Sequence, residues 1–220
     1  MTERTTITRL REKGSSDRAD LDALLDSTLV GHFALVAPDG HPVVVPTAIV
    51  RDGDRVLAHG STGSRWMRRL SEGGPACLAV TVLGGLVVAR SAFESSLHYR
   101  SAVLFGTCTP IAGPAKTAAL DLITEAMLPG RTAEVRRPTD RELVATLVLE
   151  FPIEEWSLKI SDKWPEDEAD DIAGDAWAGV VPLISSYAAA QPAPDLRPDI
   201  AVPPSVRALG EAGADHSAGR

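Results

Sequence analysis

The stretch HFALVAPDGHPVVVPTAIVRDGDRVLAHG (His32–Gly60) contains three short apolar runs separated by two turns. The first turn is PDGHP and the second is DGD. Apolar runs joined by turns that contain Asp-Gly are typical of β-hairpins. The stretch therefore predicts three consecutive antiparallel strands, at His32–Val36, Val43–Val50 and Arg55–Gly60.

Similar apolar runs continue along the chain. They are Ala76–Leu83 and Leu86–Phe93, separated by a Gly-Gly turn, and then Ser101–Ile111, Ala145–Ile153 and Trp156–Ile160. Roughly seven short strands at even spacing are expected of a barrel or a sandwich. Because the strands do not alternate with helices, the pattern argues against a parallel sheet of the Rossmann type. We predict a mainly β fold, a small antiparallel barrel with peripheral helices.

Four segments have helical patterns. In DRADLDALLDSTL, which follows the charged N-terminal residues, the leucines share one face and Asp17 is a candidate N-cap. Thr139 and Glu142 have the spacing of a capping box. The other two helices are predicted at Ala119–Leu128, which ends at Pro129-Gly130, and from Arg65, where Trp66, Met67 and Leu70 form an apolar stripe. The apolar face of the first helix consists of Leu21, Leu24, Leu25 and Leu29.

Charge and composition narrow the classes of function. The net charge of −8 over 220 residues argues against a non-specific nucleic-acid binder, which needs a basic face. No segment has the apolar length of a membrane span, and the N-terminus lacks an apolar signal region, so we expect a cytoplasmic protein. Cys77 and Cys108 lie in apolar surroundings, and we expect two buried free thiols and not a disulfide or a metal site.

The composition changes near the C-terminus. From about residue 188 the chain is rich in Pro, Ala and Gly and offers little to bury. We therefore predict one domain over residues 1–187 and a flexible tail over residues 188–220.

The stretch HGSTGSRWMRRL (His59–Leu70) is a candidate anion site. A helix is predicted to start there, and the unpaired amides at a helix N-terminus favour anions. Ser61, Thr62 and Ser64 offer hydroxyl donors, and Arg65 is a forked cation suited to phosphate. The alternative interpretation is an ordinary capped helix whose arginines are solvated.

Two other segments have polar groups beside apolar strands. Pro46 removes a hydrogen-bond donor in the middle of a predicted strand, which marks an edge, a bulge or a place where a flat ligand lies. After Arg90-Ser91, a predicted loop carries several polar side chains and connects two strands, an arrangement common in binding sites. These side chains are Glu94, Ser95, Ser96, His98, Tyr99 and Arg100. The alternative for this loop is a solvated surface on which Arg90 or Arg100 pairs with a carboxylate.

Several site classes lack their motifs. The histidines and cysteines do not cluster at metal-ligand spacing, so we predict no metal site of that kind. A G-x-S-x-G nucleophile elbow, a Walker loop and a G-x-G-x-x-G nicotinamide fingerprint are absent from the sequence.

Six motifs in order resemble the pyridoxamine 5′-phosphate oxidase-like, FMN-binding split-barrel superfamily, nearest its nitroimidazole-reductase-related (Nim-like) flavin-nucleotide-binding branch. The motifs are REKGSSDR (Arg11–Arg18), HPVVVPT, HGSTGSRWMR, VVARSAF with YRSAVLFG, PGR, and WAGVVPL (Trp177–Leu183). The resemblance implies an antiparallel Greek-key split barrel. It also implies a two-fold homodimer with FMN in a groove at the subunit interface.

The resemblance also implies roles for individual residues. The segment Val44–Ile49 would line the flavin ring, and residues on the next two elements would bind the ribityl phosphate. A third group would approach the flavin from a neighbouring strand of the same or the other subunit. The residues nearest the flavin ring are Pro46, Thr47 and Ala48. The phosphate-binding residues are His59, Gly60, Ser64 and Arg65, with Ser61 and Thr62 alongside. The third group is Val88, Ala89 and Arg90.

Two departures from the family pattern bear on activity. Trp66 follows Arg65 where the true oxidases have a lysine, and WAGVVPL replaces their Arg-rich C-terminal motif, which argues against vitamin B6 oxidation. The Nim-like branch carries paired histidines in the polar loop, whereas this chain has Glu94-Ser95-Ser96-Leu97-His98. This difference suggests a changed substrate or a changed cofactor.

Three hypotheses for function follow. The first is an FMN-dependent oxidoreductase acting on a small molecule, with Glu94 and His98 as catalytic candidates and Tyr99 and Arg100 as substrate-binding candidates. In this hypothesis His98 is the proton donor, because its ordinary pKa is near neutrality; the alternative is a structural hydrogen bond. The second hypothesis is a haem-binding split barrel with His59 or His98 as axial ligand. The third is a flavin-nucleotide-binding module without catalysis.

Overall fold

A computed structural model describes residues 3–215, with side chains to residue 210. Within that range there are ten strands and six α-helices. The strands are β1 (Gly14–Ser15), β2 (Val30–Val36), β3 (Pro42–Asp52), β4 (Arg55–Ser61), β5 (Pro75–Val88), β6 (Ser96–Thr107), β7 (Thr109–Pro110), β8 (Thr146–Pro152), β9 (Glu155–Ser161) and β10 (Gly179–Pro182). The helices are α1 (Arg18–Asp26), α2 (Arg65–Ser71), α3 (Gly113–Met127), α4 (Asp140–Ala145), α5 (Ala169–Ile172) and α6 (Pro204–Asp215).

All strand pairs are antiparallel, which confirms the mainly β prediction. The order across the sheet is β1-β9-β6-β5-β2-β3-β4-β8-β7, and β10 pairs with β5. The two predicted hairpins join β2 to β3 and β3 to β4. Strand β5 then returns to the free side of β2, which makes a Greek key.

Strand β3 belongs to both halves of the barrel. Pro42–Ala48 pairs with β2, whereas Ile49–Asp52 pairs with β4. The edge of Pro42–Ala48 opposite β2 therefore forms no strand pair in the described structure. Pro46 lies on this open edge, as expected of a residue without an amide hydrogen.

The barrel is filled by one core cluster, and α3 covers a second. Phe33 of β2 and Phe151 of β8 meet edge to face inside the barrel, with ring centroids 5.4 Å apart. Their contact joins the two halves of the barrel. On the outside, Ile123 of α3 packs with Leu57 of β4 and Val148 of β8.

Three of the four predicted helix starts are present, but α3 starts at Gly113, six residues before the predicted Ala119. The Asp17 side chain accepts a 2.9 Å hydrogen bond from the amide of Ala19 at the start of α1. Thr139 and Glu142 form the predicted capping box of α4. Leu29, however, lies beyond the end of α1 and is only half-buried, so its assignment to the helix face was wrong.

The Gly-Gly turn predicted between residues 83 and 86 is wrong. Strand β5 runs through it to Val88, with an irregularity in register between Leu83 and Gly85. A Cβ on Gly85 would lie 2.5 Å from the carbonyl oxygen of Val181, so glycine is needed for the approach of β10. Because close strand packing and a turn both select glycine, the sequence pattern did not separate them.

The strand predicted from Ser101 starts earlier, at Ser96. His98, Tyr99 and Arg100 therefore lie on β6 and not on a loop, and the loop is reduced to residues 89–95. The predicted strand Leu86–Phe93 correspondingly ends at Val88.

The Pro- and Ala-rich C-terminal region includes α6. Ser205 of α6 is buried, and its amide and hydroxyl donate hydrogen bonds to the carboxylate of Glu134. These bonds attach α6 to the segment that follows α3. The bounds of the domain and the flexibility of the tail stay predictions. None of the described helices is long and apolar enough to cross a membrane.

Both cysteines are free thiols, as predicted. Cys108 is buried as predicted, whereas Cys77 on β5 is only half-buried, so its predicted burial was wrong. Burial raises the pKa of Cys108 to about 12, so this thiol is protonated and unreactive at neutral pH.

Candidate functional site

Strands β3 and β4 diverge at the point where the candidate cofactor residues lie. Their pairing stops at Ile49↔Ala58. Beyond it, Pro46–Ala48 pairs only with β2 and His59–Ser61 pairs with β8. The fold thus places the first two predicted groups of cofactor residues on the two sides of the split.

The turn after β4 is built from its own hydroxyl groups. Ser61 Oγ accepts a 3.0 Å hydrogen bond from the amide of Gly63, and Ser64 Oγ caps α2 through the amide of Met67. The amide and hydroxyl of Thr62 both donate to the carbonyl of Ala145, at 2.9 and 3.2 Å. The turn is therefore fixed to the end of α4, and three of the predicted phosphate-binding hydroxyl groups already have protein partners.

Arg65 is the first residue of α2 and is exposed. Its guanidinium lies 4.1 Å from the centre of the Trp66 ring and forms no ion pair with any described side chain. Trp66 in turn packs against the barrel core. The first intrahelical bond is donated by Arg68 to the Ser64 carbonyl, so the amides of Arg65 and Trp66 precede it. A cation and two free amides at one turn fit an anionic group.

Gly60 has a packing role. A Cβ at this position would lie 2.7 Å from Cγ of Met67. Only glycine therefore lets the first turn of α2 pack against β4, whatever the residue does for a ligand.

His59 faces the α3 side of β4. It shares this face with Leu57 and pairs with Val148 of β8. Its ring lines an open groove of about 510 Å³ between α3 and the segment that leads into α4. Nδ1 is buried and has no hydrogen-bond partner, and burial lowers the pKa of His59 below its usual 6.5. The ring is therefore neutral at physiological pH.

The third predicted group of cofactor residues lies elsewhere in this chain. His32 of β2 pairs with both Pro46 and Ala79, so these three residues form one row across the sheet. Val88 lies nine residues beyond Ala79 on β5, which is roughly 30 Å along the strand. Val88, Ala89 and Arg90 thus do not join Pro46 within one chain.

Arg90 is bound by a carboxylate. Its amide donates a 2.7 Å hydrogen bond to Asp167, and its guanidinium donates a 2.8 Å bond to the other carboxylate oxygen. The carboxylate is fully buried. This is the alternative considered for the polar segment, with one guanidinium nitrogen of Arg90 engaged by Asp167.

The four candidate catalytic and substrate residues do not converge on one face. His98 and Arg100 alternate with Tyr99 along β6, so Tyr99 faces the opposite side. His98 Nε2 lies 2.9 Å from the Lys163 carbonyl, and Arg100 donates to the hydroxyl of Ser27. Glu94 is in the loop, where its amide donates to Ser91 Oγ. Their catalytic and substrate roles stay predictions.

The outer face of the sheet beside Pro46 is apolar and exposed. Val44 is 61% exposed, Val36 57% and Val30 50%. Alternation along β2 and β3 places these side chains on the same face as Pro46 and His32. The open edge of β3 therefore adjoins an apolar surface.

Sequence reasoning missed Asp167 and the α3 side of the His59 groove. Asp167 lies within WPEDEADD, where one buried carboxylate cannot be told from its exposed neighbours. Leu120 and Thr124 are one turn apart on α3, a spacing that is equally typical of a packed helix face. No group of three or more His, Cys, Asp or Glu side chains that could hold a metal ion is present among the described residues.

Comparison with known proteins identifies the family. The sequence model of the pyridoxamine 5′-phosphate oxidase family matches residues 17–160. No curated protein matches the chain.

Solved structures resemble the chain over most of its length. The FAD and heme binding protein from Mycobacterium smegmatis is 52% identical with a TM-score of 0.87, covering 90% of this chain and 97% of that chain. The flavocytochrome Anf3 from Azotobacter vinelandii is 32% identical with a TM-score of 0.88, covering 94% and 97%. A putative 5-nitroimidazole antibiotic resistance protein from Bacteroides thetaiotaomicron shares the fold at 18% identity and a TM-score of 0.58, covering 67% and 86%. With its Greek-key split barrel and a family match through Ile160, this chain belongs to the pyridoxamine 5′-phosphate oxidase family.

Proposed function

We propose that this protein is a homodimeric oxidoreductase that binds a flavin nucleotide and a haem and acts on a small molecule. The proposal is supported first by the 52% identical protein, which binds FAD and heme and covers 90% of the chain. It is supported second by the unpaired Arg65 at the split between β3 and β4. The sequence led us to expect FMN; the relative's cofactor favours FAD.

The turn between β4 and α2 would bind a flavin phosphate. The turn carries the guanidinium of Arg65, which has no carboxylate partner, next to the free amides of Arg65 and Trp66. A charge-assisted hydrogen bond to phosphate stabilises such an arginine at a helix N-terminus, where the macrodipole otherwise disfavours it. Pro46, Thr47 and Ala48 on the open edge of β3 would lie against the flavin ring.

A second copy of the chain would complete the site. Val88–Ala89 lie about nine strand residues beyond the row of Pro46, too far to reach it in the same chain. An apolar sheet face adjoins the open edge of β3, and large exposed apolar faces mark interaction surfaces. Both observations favour a homodimer in which the extended β5–β6 hairpin of one protomer reaches the flavin of its partner.

Haem is the second cofactor because His59 fits it. Its ring is neutral, lines a groove and has a buried nitrogen without a partner. A neutral imidazole is the form that ligates iron.

The flavin, when bound, supplies the redox chemistry, and the protein supplies binding, orientation and protons. Since the Lys163 carbonyl can only accept a hydrogen bond, His98 donates to it through Nε2–H. The ring is thereby fixed in one tautomer and orientation, with Nδ1 as the nitrogen that can exchange a proton in the proposed catalytic role. We do not propose vitamin B6 oxidation, because Trp66 stands where the true oxidases carry a lysine.

Titration of cofactor-free protein with FAD and with FMN tests the flavin assignment. Arg65→Ala should weaken flavin binding by roughly 10- to 100-fold, because a hydrogen bond to a charged group contributes about 1.5–3 kcal/mol. Arg68→Ala, on the exposed face of the same helix, is the matched control and should bind as the wild type does. If the two variants bound flavin with equal affinity, the assignment of the flavin phosphate to this turn would be wrong.

Assays with NADH and NADPH separate an enzyme from a binding module. Steady turnover with a small-molecule acceptor is expected. Tight flavin binding without reduction by either donor would favour a module that only stores or senses the nucleotide.

A further inference from the structure

We infer that the groove between α3 and α4 is the haem pocket and that His59 is the axial ligand. The inference rests on the proposed function, because it assigns the haem proposed there to one site. It places the haem on the α3 side of β4, apart from the flavin ring, which would lie against the open edge of β3.

The alternation of side chains along β4 determines which side of the barrel wall His59 faces. Val56 and Ala58 of β4 point into the barrel core, whereas Leu57 packs under α3. His59 lies two residues after Leu57 on the same strand, so its side chain points to the same face, toward α3. Its ring therefore cannot line the barrel interior.

The groove beside His59 has the size and lining of a cofactor site. Its volume is about 510 Å³, within the range of roughly 300–1,000 Å³ for such sites. Four apolar side chains form part of its wall, and two threonines and one ion pair complete it. These residues are Leu120, Val135, Pro138 and Leu143; Thr124 and Thr146; and Arg136 with Glu142.

The ion pair supplies a cation where the carboxylates of a haem would need one. Arg136 donates two hydrogen bonds to Glu142, at 2.8 and 2.6 Å, and its side chain is 68% exposed. Nη1 also donates to the Arg137 carbonyl, so the Nε hydrogen and one Nη2 hydrogen are the donors left for a further carboxylate. The apolar lining and this exposed cation match the apolar ring and charged edge of a haem.

The His59 imidazole, which lines the groove without a hydrogen bond to any described residue, is the observation that carries the inference. A buried polar atom without a hydrogen bond is unfavourable, and such atoms in native proteins call for an explanation. Of the buried side-chain nitrogen and oxygen atoms in the described chain, only Nδ1 of His59 lacks a partner. Because Nδ1 is buried, Nε2 is the ring nitrogen that would coordinate an iron in the groove, and no described residue forms a hydrogen bond with it.

The other described histidines fit this role less well. His98 is engaged by the Lys163 carbonyl. His41 is in the turn after β2, with its side chain 81% exposed beside Asp39. His32 is exposed on the outer sheet face. None of the three lines the groove.

Haem titration of the full-length protein tests the assignment, with the Soret band as readout. His59→Gly should raise the Kd for haem by about 100-fold or more, since even the outer-shell partners of metal ligands contribute 10- to 100-fold. Added imidazole should restore the Soret band of this variant by occupying the vacated space. His41→Gly, at an exposed histidine outside the groove, is the matched control and should bind haem as the wild type does.

A second pair of variants tests the groove without touching the ligand. Leu143→Trp fills the groove and should weaken haem binding, whereas Val144→Trp changes the adjacent residue, which is 77% exposed, and should not. Flavin absorbance of each variant reports that the barrel is folded.

The outcomes separate this inference from the proposed function. A wild-type Soret band and unchanged affinity in His59→Gly would overturn the inference while haem binding itself stands. Equal haem binding by Leu143→Trp and the wild type would overturn the position of the pocket. A wild-type protein that takes up flavin but no haem would overturn both the inference and the haem part of the proposed function.

Discussion

Arg90 is held by Asp167 through two hydrogen bonds, one from its amide at 2.7 Å and one from its guanidinium at 2.8 Å. Arg90 follows the end of β5, and Asp167 precedes α5. The contact therefore ties the tip of the long hairpin to the C-terminal segment. Since this hairpin is the part of the chain that we propose reaches a second protomer, its order matters for the site.

Asp167→Asn should destabilise the protein by roughly 1.5–3 kcal/mol, because it removes a buried acceptor of charge-assisted hydrogen bonds. Arg90 would keep its charge with a weaker partner. Urea denaturation measures the free energy of unfolding. The neighbouring Glu166→Gln removes the same charge from an exposed side chain and should leave stability nearly unchanged; equal effects of both variants would contradict the role of Asp167.

Gly60→Ala should separate α2 from β4. The new Cβ would meet Cγ of Met67 at 2.7 Å, and such overpacking costs about 1–3 kcal/mol. Because α2 carries Arg65, flavin affinity should fall together with the midpoint of denaturation. Gly74→Ala, which meets no atom within 4 Å, is the control. Unchanged stability of Gly60→Ala would show that Met67 moves aside at no cost.

The buried His59 should make stability depend on pH. Burial lowers its pKa in the folded protein below 6.5, so the unfolded chain takes up a proton first as the pH falls. The free energy of unfolding of the haem-free protein should therefore decrease as the pH falls from 6.5 toward the folded pKa, and the loss should be absent above 6.5.

Comparison with His59→Phe isolates this contribution, since both proteins share all other titrating groups. The difference in unfolding free energy between wild type and variant should change with pH in this range. If the difference in unfolding free energy stayed constant between pH 7.5 and pH 5, His59 would have the same pKa in the folded and unfolded states, which would contradict the prediction.

Val44→Asp should produce a monomer. The substitution places a charge on the apolar sheet face beside the open edge of β3, and burial of an unpaired charge disfavours association. Flavin affinity should fall with dimerisation, because the partner's hairpin is lost. Sedimentation velocity measures the first effect. Val144→Asp, on exposed α4, is the control; a dimeric Val44→Asp protein with normal flavin binding would contradict this interface.

Local signals predicted much of the fold. The Asp-Gly turns located β2, β3 and β4, and the capping residues Asp17 and Thr139 located two helix starts. These features depend on hydrogen bonds between residues close in sequence, so the sequence alone contains them. The errors occur where partners are distant: Gly84-Gly85 was predicted as a turn because the approach of Val181 is not visible in the sequence.

The candidate site was predicted in part for the same reason. The turn from His59 to Arg65 is contiguous, and its position at the end of β4 and the start of α2 is as predicted. The pairing of Arg90 with Asp167 and the contact of His98 with Lys163 join residues more than sixty positions apart. Only the folded chain shows that Val88 and Pro46 lie far apart.

The visible absorption spectrum of the purified protein, followed by identification of the extracted cofactors, tests the central claim most directly. We predict the absorbance of an oxidised flavin together with a Soret band, and FAD and haem in the extract. A colourless protein that takes up neither flavin nor haem on reconstitution would contradict the account.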